Sequence, residues 1–254
     1  MEVTASGIGQ YLEAADGATK AVLEAYPDFM ELIVSVSQLW AEEVYAGEIP
    51  LDTLSGVPFL QSMMLWCSGV RVALSGHAIA AFPVLRTSIE AASYAYLMAR
   101  SEALRDIWLY RERSPADLKA VKRYLGQAVA DTAKALDGVD EGFGEHLRAI
   151  YETSITYGGH PNSHFAMQHM RPVGETEESW LFNHDCIAGP ESPNTIRGII
   201  AAIEIGLAAS LLCALAVVDH PNIDRIRRIH RGLYDLKNNL IDANLRDVSG
   251  EVTE

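Results

Sequence analysis

The longest apolar run of the chain, residues 198–218, limits the fold more than any other feature does. Its only charged residue is Glu204, and its length would allow a helix to cross a membrane. A glutamate inside a bilayer costs about 2–3 kcal/mol, however, and the many alanines of the run offset little of that cost. The run therefore predicts a helix that is buried on most of its faces inside the protein.

Small residues within the same run bear on the oligomeric state. Gly198, Ala202, Gly206 and Ala209 would allow another helix to approach closely. The run is therefore either central in the monomer or part of the interface of a two-fold dimer. Of these two alternatives we favour a homodimer.

Apolar residues at helical spacing recur along most of the remaining sequence. Besides the apolar run, we expect helices near 8–25, 28–46, 57–75, 77–100, 102–112, 115–136, 141–156 and 222–246. Ser114 is a suitable N-cap for the helix that follows it. Pro83 is expected either to kink its helix or to mark the true start of that helix.

The stretch from Gly158 to Pro193 has no helical period. Within it, residues 170–173 and 180–187 have the pattern of two short strands around a polar turn. We therefore expect a small β-hairpin excursion around residues 170–188. The sequence shows no internal repeat and no linker, so it predicts an all-α fold in which residues 1–254 form a single helical-bundle domain.

Charge and cysteine content narrow the choice of partners and compartment. The net charge of −14 argues against broad binding to nucleic acid or to an anionic membrane, because both require a basic surface. The 3 cysteines are far apart in the sequence and do not resemble a disulfide framework. The first residues lack the pattern of a signal peptide. We therefore expect a cytoplasmic protein with no membrane partner.

A histidine-rich loop at 157–169 is the first candidate for a functional segment, because loops on a rigid scaffold often contain binding and catalytic residues. A single helical face cannot present His160, His164 and His169 together, and His184 follows in the same non-helical region. These four histidines are the candidate ligands of a transition metal. We do not favour a metal, because no HExxH-type motif is present. The alternatives are a ligand-contacting or catalytic role, or a surface loop that satisfies its own backbone.

Arg86 and Glu90 form a second candidate site within an otherwise apolar helix. At a spacing of four they lie on one helical face and can pair directly, and the apolar context predicts that the pair is buried. Glu204 is the expected third member. The group is either an internal salt bridge or the polar floor of a ligand pocket that reaches His160, and in an enzyme Arg86, Glu90 and His160 would be catalytic.

The segment 225–231 is basic, although the chain as a whole is acidic. Arg225 and His230 match the Arg-x4-His spacing by which HEPN-type ribonucleases place a proton carrier beside a phosphate-binding arginine. The same spacing also arises by chance, and a solvated basic face is the simpler interpretation. Any contact with nucleic acid would use the arginines of this segment, Arg225, Arg227, Arg228 and Arg231.

Two further segments have a distinctive order of residues. One contains Gly-His-Ala-Ile-Ala and Leu-Arg-Thr-Ser-Ile-Glu within residues 76–90, and the other contains Tyr-Glu-Thr-Ser and His-Pro within 151–161. This order resembles a family of uncharacterised, all-helical bacterial proteins that is grouped loosely with HEPN-like and phage-defence proteins. The resemblance implies a cytoplasmic helical bundle with no established substrate. The shared polar residues that it implies are Arg86, Glu90, Ser154 and His160.

Two classes of function are consistent with these features. The first is an intracellular ligand-binding or regulatory protein, with a pocket between the Arg86/Glu90 helix and the 157–169 loop. The residues expected to contact its ligand are Tyr157, Ser154, His164 and Glu204. The second is a HEPN-like ribonuclease or a metal-dependent hydrolase that uses loop histidines. Net charge and the lack of a strong catalytic motif favour the first class, and the sequence leaves open whether the chain is an enzyme.

Overall fold

The computed structural model describes residues 7–47, 49–140, 142–158, 170–175, 180–184 and 186–245. Its helices are α1 (Ile8–Ala25), α2 (Pro27–Gln38) with a π-helical extension (Leu39–Val44), α3 (Thr53–Leu74), α4 (Ala78–Ala99), α5 (Glu102–Leu109), α6 (Pro115–Tyr124), α7 (Ala128–Leu136), α8 (Phe143–Gly158), α9 (Pro193–Ala216) and α10 (Ile223–Leu245). Strands β1 (Met170–Glu175) and β2 (Trp180–His184) pair antiparallel. Helices form most of the described chain, and the predicted all-α class is confirmed.

Polar N-caps explain where several of the helices begin. The residues preceding α3, α5, α6 and α9 each accept a side-chain hydrogen bond from a backbone N–H of the first turn, and these residues are Asp52, Ser101, Ser114 and Ser192. Such a bond satisfies one of the donors that a helix start leaves without a partner. The cap predicted at Ser114 is therefore confirmed.

One of the predicted helix boundaries is wrong. The helix expected over 115–136 is divided into α6 and α7 by a turn that contains Gly126, where a Cβ would lie 2.3 Å from the Lys122 carbonyl oxygen. The helix expected over 77–100 begins at Ala78 and continues through Pro83, so the proline does not mark its start. Pro83 is the sixth residue of this helix, and its missing N–H removes a single helical hydrogen bond near the start.

The apolar run forms α9, which lies at the centre of the fold. This helix contacts α2, α3, α4, α8 and α10, and 89% of its most apolar stretch is buried. Both α3 and α9 are long and apolar enough to cross a membrane, but a buried core helix meets the same two criteria. The prediction that α9 is buried is confirmed, and the absence of a membrane partner stays a prediction.

Small residues of α9 allow close helix contacts within one chain. Trp66 on α3 donates a hydrogen bond to the Ala202 carbonyl at 2.8 Å, and a Cβ on Gly206 would lie 2.4 Å from the Trp66 Nε1. A Cβ on Gly198 would likewise lie close to α4, 3.2 Å from the Cβ of Ala78. The burial of α9 is thus explained within the monomer, so the predicted homodimer no longer rests on this helix and stays a prediction.

Helix α8 presents different faces to two parts of the molecule. Tyr151 reaches Glu90 on α4, whereas Phe143 and His146 contact rings on α10. Side chains three or four residues apart lie on the same face of a helix. Side chains five residues apart, such as those of His146 and Tyr151, point in different directions. One helix therefore contributes side chains to two separate concave regions.

Candidate functional site

A cleft of about 430 Å³ opens where α8 meets α4 and the start of α7. We call it the Glu90 cleft, and the residues that define it are Glu90, Tyr94, Val129, Arg148, Tyr151 and Glu152. The side chains from α4 and α8 are polar or aromatic. The segment 125–130 supplies the apolar part of the wall through Leu125, Ala128 and Val129.

The ion pair predicted between Arg86 and Glu90 is present beside this cleft. Arg86 Nε lies 3.5 Å from Glu90 Oε1, and the Tyr151 hydroxyl donates to the same oxygen at 2.9 Å. The predicted full burial of the pair is wrong, since the side chains of Arg86 and Glu90 are 24% and 35% exposed. The cleft brings water close to Glu90, which explains why an apolar helix tolerates the carboxylate.

The electrostatics of the cleft favour a ligand that donates hydrogen bonds. Burial and the neighbouring Glu90 carboxylate raise the pKa of Tyr151 to about 12, and the same two causes raise the pKa of Tyr94. Both phenols therefore stay protonated near neutral pH. Arg148 is bound to Asp137 at 3.1 Å and Glu90 to Arg86 at 3.5 Å. The carboxylates of Glu90 and Glu152 outnumber the single guanidinium that lines the cleft.

Two residues expected to contact a ligand lie further along α8 and have structural partners. The Ser154 hydroxyl is buried and donates to the Tyr151 carbonyl at 2.6 Å. The Tyr157 ring stacks on Phe82 of α4, with ring centroids 5.7 Å apart. The Ser154 bond stays within α8, whereas Tyr157 stabilises the α4–α8 packing that shapes the cleft. Neither residue lines the cleft.

Glu204 occupies a different region from the one predicted for it. Its Oε1 accepts a hydrogen bond from Lys237 Nζ at 2.5 Å, and the Lys237 side chain is 2% exposed. The expectation that Glu204 joins Arg86 and Glu90 is therefore wrong, and Tyr151 is the third member of that group. Lys237 follows Glu204 by 33 residues, so no local spacing in the sequence predicts that these two residues pair.

Residues 159–169 of the histidine loop lie outside the residues that the structure describes. This applies to His160, His164 and His169, and also to the side chain of His184. Within the described ranges, no group of three or more histidines, cysteines and carboxylates is arranged to hold a metal ion. The roles predicted for these four histidines stay predictions.

The basic segment does not place Arg225 beside His230. Arg225 Nη2 lies 2.8 Å from Glu43 Oε1, whereas the His230 ring contacts Phe143 on α8 with centroids 6.3 Å apart. Five residues of α-helix separate side chains by about 140° around the axis, so the two face different parts of the molecule. The arrangement predicted from the Arg-x4-His spacing is therefore wrong for this pair.

The sequence did not predict Tyr94, Val129, Arg148 and Glu152 as members of the Glu90 cleft. Tyr94 follows Glu90 by four residues and so shares its helical face, which is a signal that the sequence contains. Arg148 and Glu152 depend on how α8 packs against α4 and α7, and no local pattern identifies them.

Comparisons of this chain with protein-family models, with curated proteins and with solved structures find no match. The resemblance to a HEPN-like helical family therefore stays a prediction. Function has to be argued from the geometry and chemistry of the site.

Proposed function

We propose that this protein is a helical ligand-binding protein that takes a small organic amine into the Glu90 cleft. The proposal rests on one observation, the half-buried Glu90 carboxylate at the wall of the cleft. Its contacts with Arg86 and Tyr151 are both made to Oε1. Among the described residues this leaves Oε2 as an acceptor for a donor group of the ligand.

The rest of the cleft supports a ligand with a cationic end and an apolar body. Tyr94 and Tyr151 offer aromatic rings, which attract organic cations, and Glu152 adds a second carboxylate. Leu125 and Val129 give the body of the ligand an apolar surface. A volume of about 430 Å³ falls within the range of about 300–1,000 Å³ that is usual for small-molecule sites.

The location and assembly predicted from the sequence belong to this proposal. A net charge of −14 supports a protein that binds neither nucleic acid nor anionic membrane, and we retain a cytoplasmic homodimer as its form. The pairing of Arg225 with Glu43 speaks against a ribonuclease site built on the Arg225–His230 spacing, whereas a ribonuclease that uses the loop histidines stays the alternative. The amine-binding proposal is therefore the better supported of the two classes.

A matched pair of probes tests the proposal. Phenethylamine and phenylacetate have similar size and opposite charge, ligand-observed NMR measures weak binding of either one, and only the binding of phenethylamine should depend on Glu90. We expect phenethylamine to bind the wild-type protein, and Glu90→Gln to weaken that binding about tenfold, the effect of losing about 1.4 kcal/mol. The glutamine keeps the shape of the side chain and removes its charge.

The control variant is Glu31→Gln, which neutralises an exposed glutamate on α2, far along the chain from the cleft residues. It should bind phenethylamine as the wild type does. Equal binding by the wild type and by Glu90→Gln, or no binding by either protein at millimolar amine, would reject the Glu90 cleft as an amine site.

A further inference from the structure

A second cavity, of about 360 Å³, lies between the beginning of α8 and helix α10. We call it the imidazole cavity, and the residues that define it are Phe143, His146, Arg227, His230, Arg231 and Tyr234. The α8 residues of this cavity do not line the Glu90 cleft. The two concave regions are therefore separate sites.

Four rings form a continuous wall of this cavity. Phe143 contacts His230 edge to face with centroids 6.3 Å apart, His230 stacks on Tyr234 at 6.4 Å, and Tyr234 meets the His146 ring at 5.4 Å. In the order Phe143–His230–Tyr234–His146, the two outer rings come from α8 and the two inner rings from α10. Such a wall offers both faces and edges to the ring of a ligand.

An ion pair between buried Lys237 and partly exposed Glu204 fixes the position of the Tyr234 ring. Lys237 Nζ lies 4.0 Å from the centroid of the Tyr234 ring and also donates to Glu204 on α9. The ion pair with Glu204 holds Lys237 in place, and the cation–π contact with Lys237 in turn restrains the Tyr234 ring. The wall is thus formed before any ligand binds.

The two imidazoles are neutral near pH 7. Burial lowers the pKa of His146, and burial together with the nearby His146, Arg231 and Lys237 lowers the pKa of His230 to about 4. His230 Nε2 is buried, and no described residue forms a hydrogen bond with it. A buried polar nitrogen without a partner is uncommon, and a hydrogen bond that His230 donates to a ligand would satisfy it.

Positive charge lies along the same cavity. Two arginines, Arg227 and Arg231, line it against one aspartate, Asp140, so the lining has a net charge of +1. Arg227 is bound to Asp140 at 3.3 Å. Arg231 is exposed and lines the cavity, which places a guanidinium where the acidic group of a ligand would lie.

We propose that the imidazole cavity is a second ligand site, and that it binds a small aromatic carboxylate. The ring of the ligand packs against the four-ring wall, and its carboxylate binds Arg231 and accepts a hydrogen bond from His230. A volume of about 360 Å³ suits a molecule of one or two rings rather than a polymer strand. This site is independent of the ligand proposed for the Glu90 cleft.

Phenylacetate titrated into the full chain tests this proposal by ligand-observed NMR. We expect the wild type to bind phenylacetate, and Arg231→Gln to weaken the binding about tenfold, which corresponds to one lost charge-assisted contact. Arg231 is exposed, so this variant should fold as the wild type does. Glu90→Gln should leave phenylacetate binding unchanged, which separates this proposal from the amine site.

Arg228→Gln is the matched control, because Arg228 is an exposed arginine on α10 that does not line the imidazole cavity. It removes the same charge from the chain and should leave phenylacetate binding unchanged. Equal losses in Arg228→Gln and Arg231→Gln would show a general charge effect and would overturn the proposal. Binding of phenylacetate that Arg231→Gln leaves intact would overturn it as well.

Discussion

The Glu90 cleft and the imidazole cavity are both formed by α8, yet their ion pairs differ in exposure. At the cleft, the Arg86 and Glu90 side chains are 24% and 35% exposed, whereas behind the cavity Lys237 is 2% exposed and Glu204 is 28% exposed. A solvated carboxylate is available to a ligand, whereas a buried ammonium has only its protein partners. The Arg86–Glu90 pair is therefore suited to recognition, and the Lys237–Glu204 pair to holding helices together.

The largest effect is expected for the Lys237–Glu204 pair, whose ammonium is buried. Glu204→Ala would leave the Lys237 ammonium buried without its carboxylate, and we expect the free energy of unfolding to fall by about 3–5 kcal/mol. Urea unfolding followed by circular dichroism measures this change. The double variant Glu204→Ala with Lys237→Met should recover much of the loss, because it removes the uncompensated charge. A loss below about 1 kcal/mol in the single variant would mean that Lys237 reaches water.

The second prediction concerns pH and the neutral imidazoles. The pKa of His230 is about 4 in the folded protein and near 6.5 when unfolded, so between these values the unfolded state binds more protons. Stability contributed by His230 is therefore complete above pH 6.5, decreases as the pH falls, and levels off below pH 4. The total change is about 3 kcal/mol.

His230→Gln checks this pH dependence when the unfolding free energy is measured at pH 7 and at pH 4.5 for both proteins. The wild type should lose more stability than the variant over this interval. The His146 pKa is also lowered, so His146 would leave a smaller residual slope in the variant. Parallel curves for the two proteins would place His230 in solvent and weaken the contrast between the sites.

The third prediction concerns the partly exposed Glu90 carboxylate at the cleft and the Tyr151 hydroxyl that bonds to it. Tyr151→Phe removes a hydrogen bond to a carboxylate and should cost about 1–2 kcal/mol of unfolding free energy. Glu90→Gln should cost a similar amount, because Glu90 is partly solvated and Arg86 can turn toward water. Chemical denaturation measures both. A cost in Glu90→Gln as large as that of Glu204→Ala would erase the difference drawn between the two pairs.

The smallest effect is expected at the partly exposed pairs next to each site. Arg148–Asp137 borders the cleft at 3.1 Å and Arg227–Asp140 lines the cavity at 3.3 Å. Exposed pairs of this kind contribute about 0.2–1 kcal/mol, and salt screens them. Arg148→Gln and Arg227→Gln should therefore alter the melting temperature little, and less still in 1 M salt. A large drop in the melting temperature of either variant would show that its ion pair holds helices together, as the Lys237–Glu204 pair does.

Local spacing predicts the features of this protein that lie within one helix. The apolar period located α1, α4 and α9 closely, and the four-residue spacing identified Arg86–Glu90. The same period missed the turn at Gly126, because a single glycine interrupts it only briefly. Sequence patterns of this kind are informative where cause and consequence lie within a few residues.

The imidazole cavity was not predicted because its parts come from distant segments. His146 and His230 are 84 residues apart, and Lys237 meets Glu204 across two helices. The sequence marked His230 only through Arg225, which is bound to Glu43 instead. Residues that meet through tertiary packing leave no periodic signal, and burial then decides which charges pair.

The central position of α9 has a consequence for how the chain acquires its fold during synthesis. Trp66 bonds to Ala202 across 136 residues, so α3 and α4 are complete long before the helix that covers them emerges from the ribosome. Until then their apolar surfaces face water or a chaperone, and long-range contacts of this kind slow folding. A fragment that stops before Ser192 should consequently be prone to aggregation, whereas addition of a separate α9 peptide should restore a soluble, folded complex.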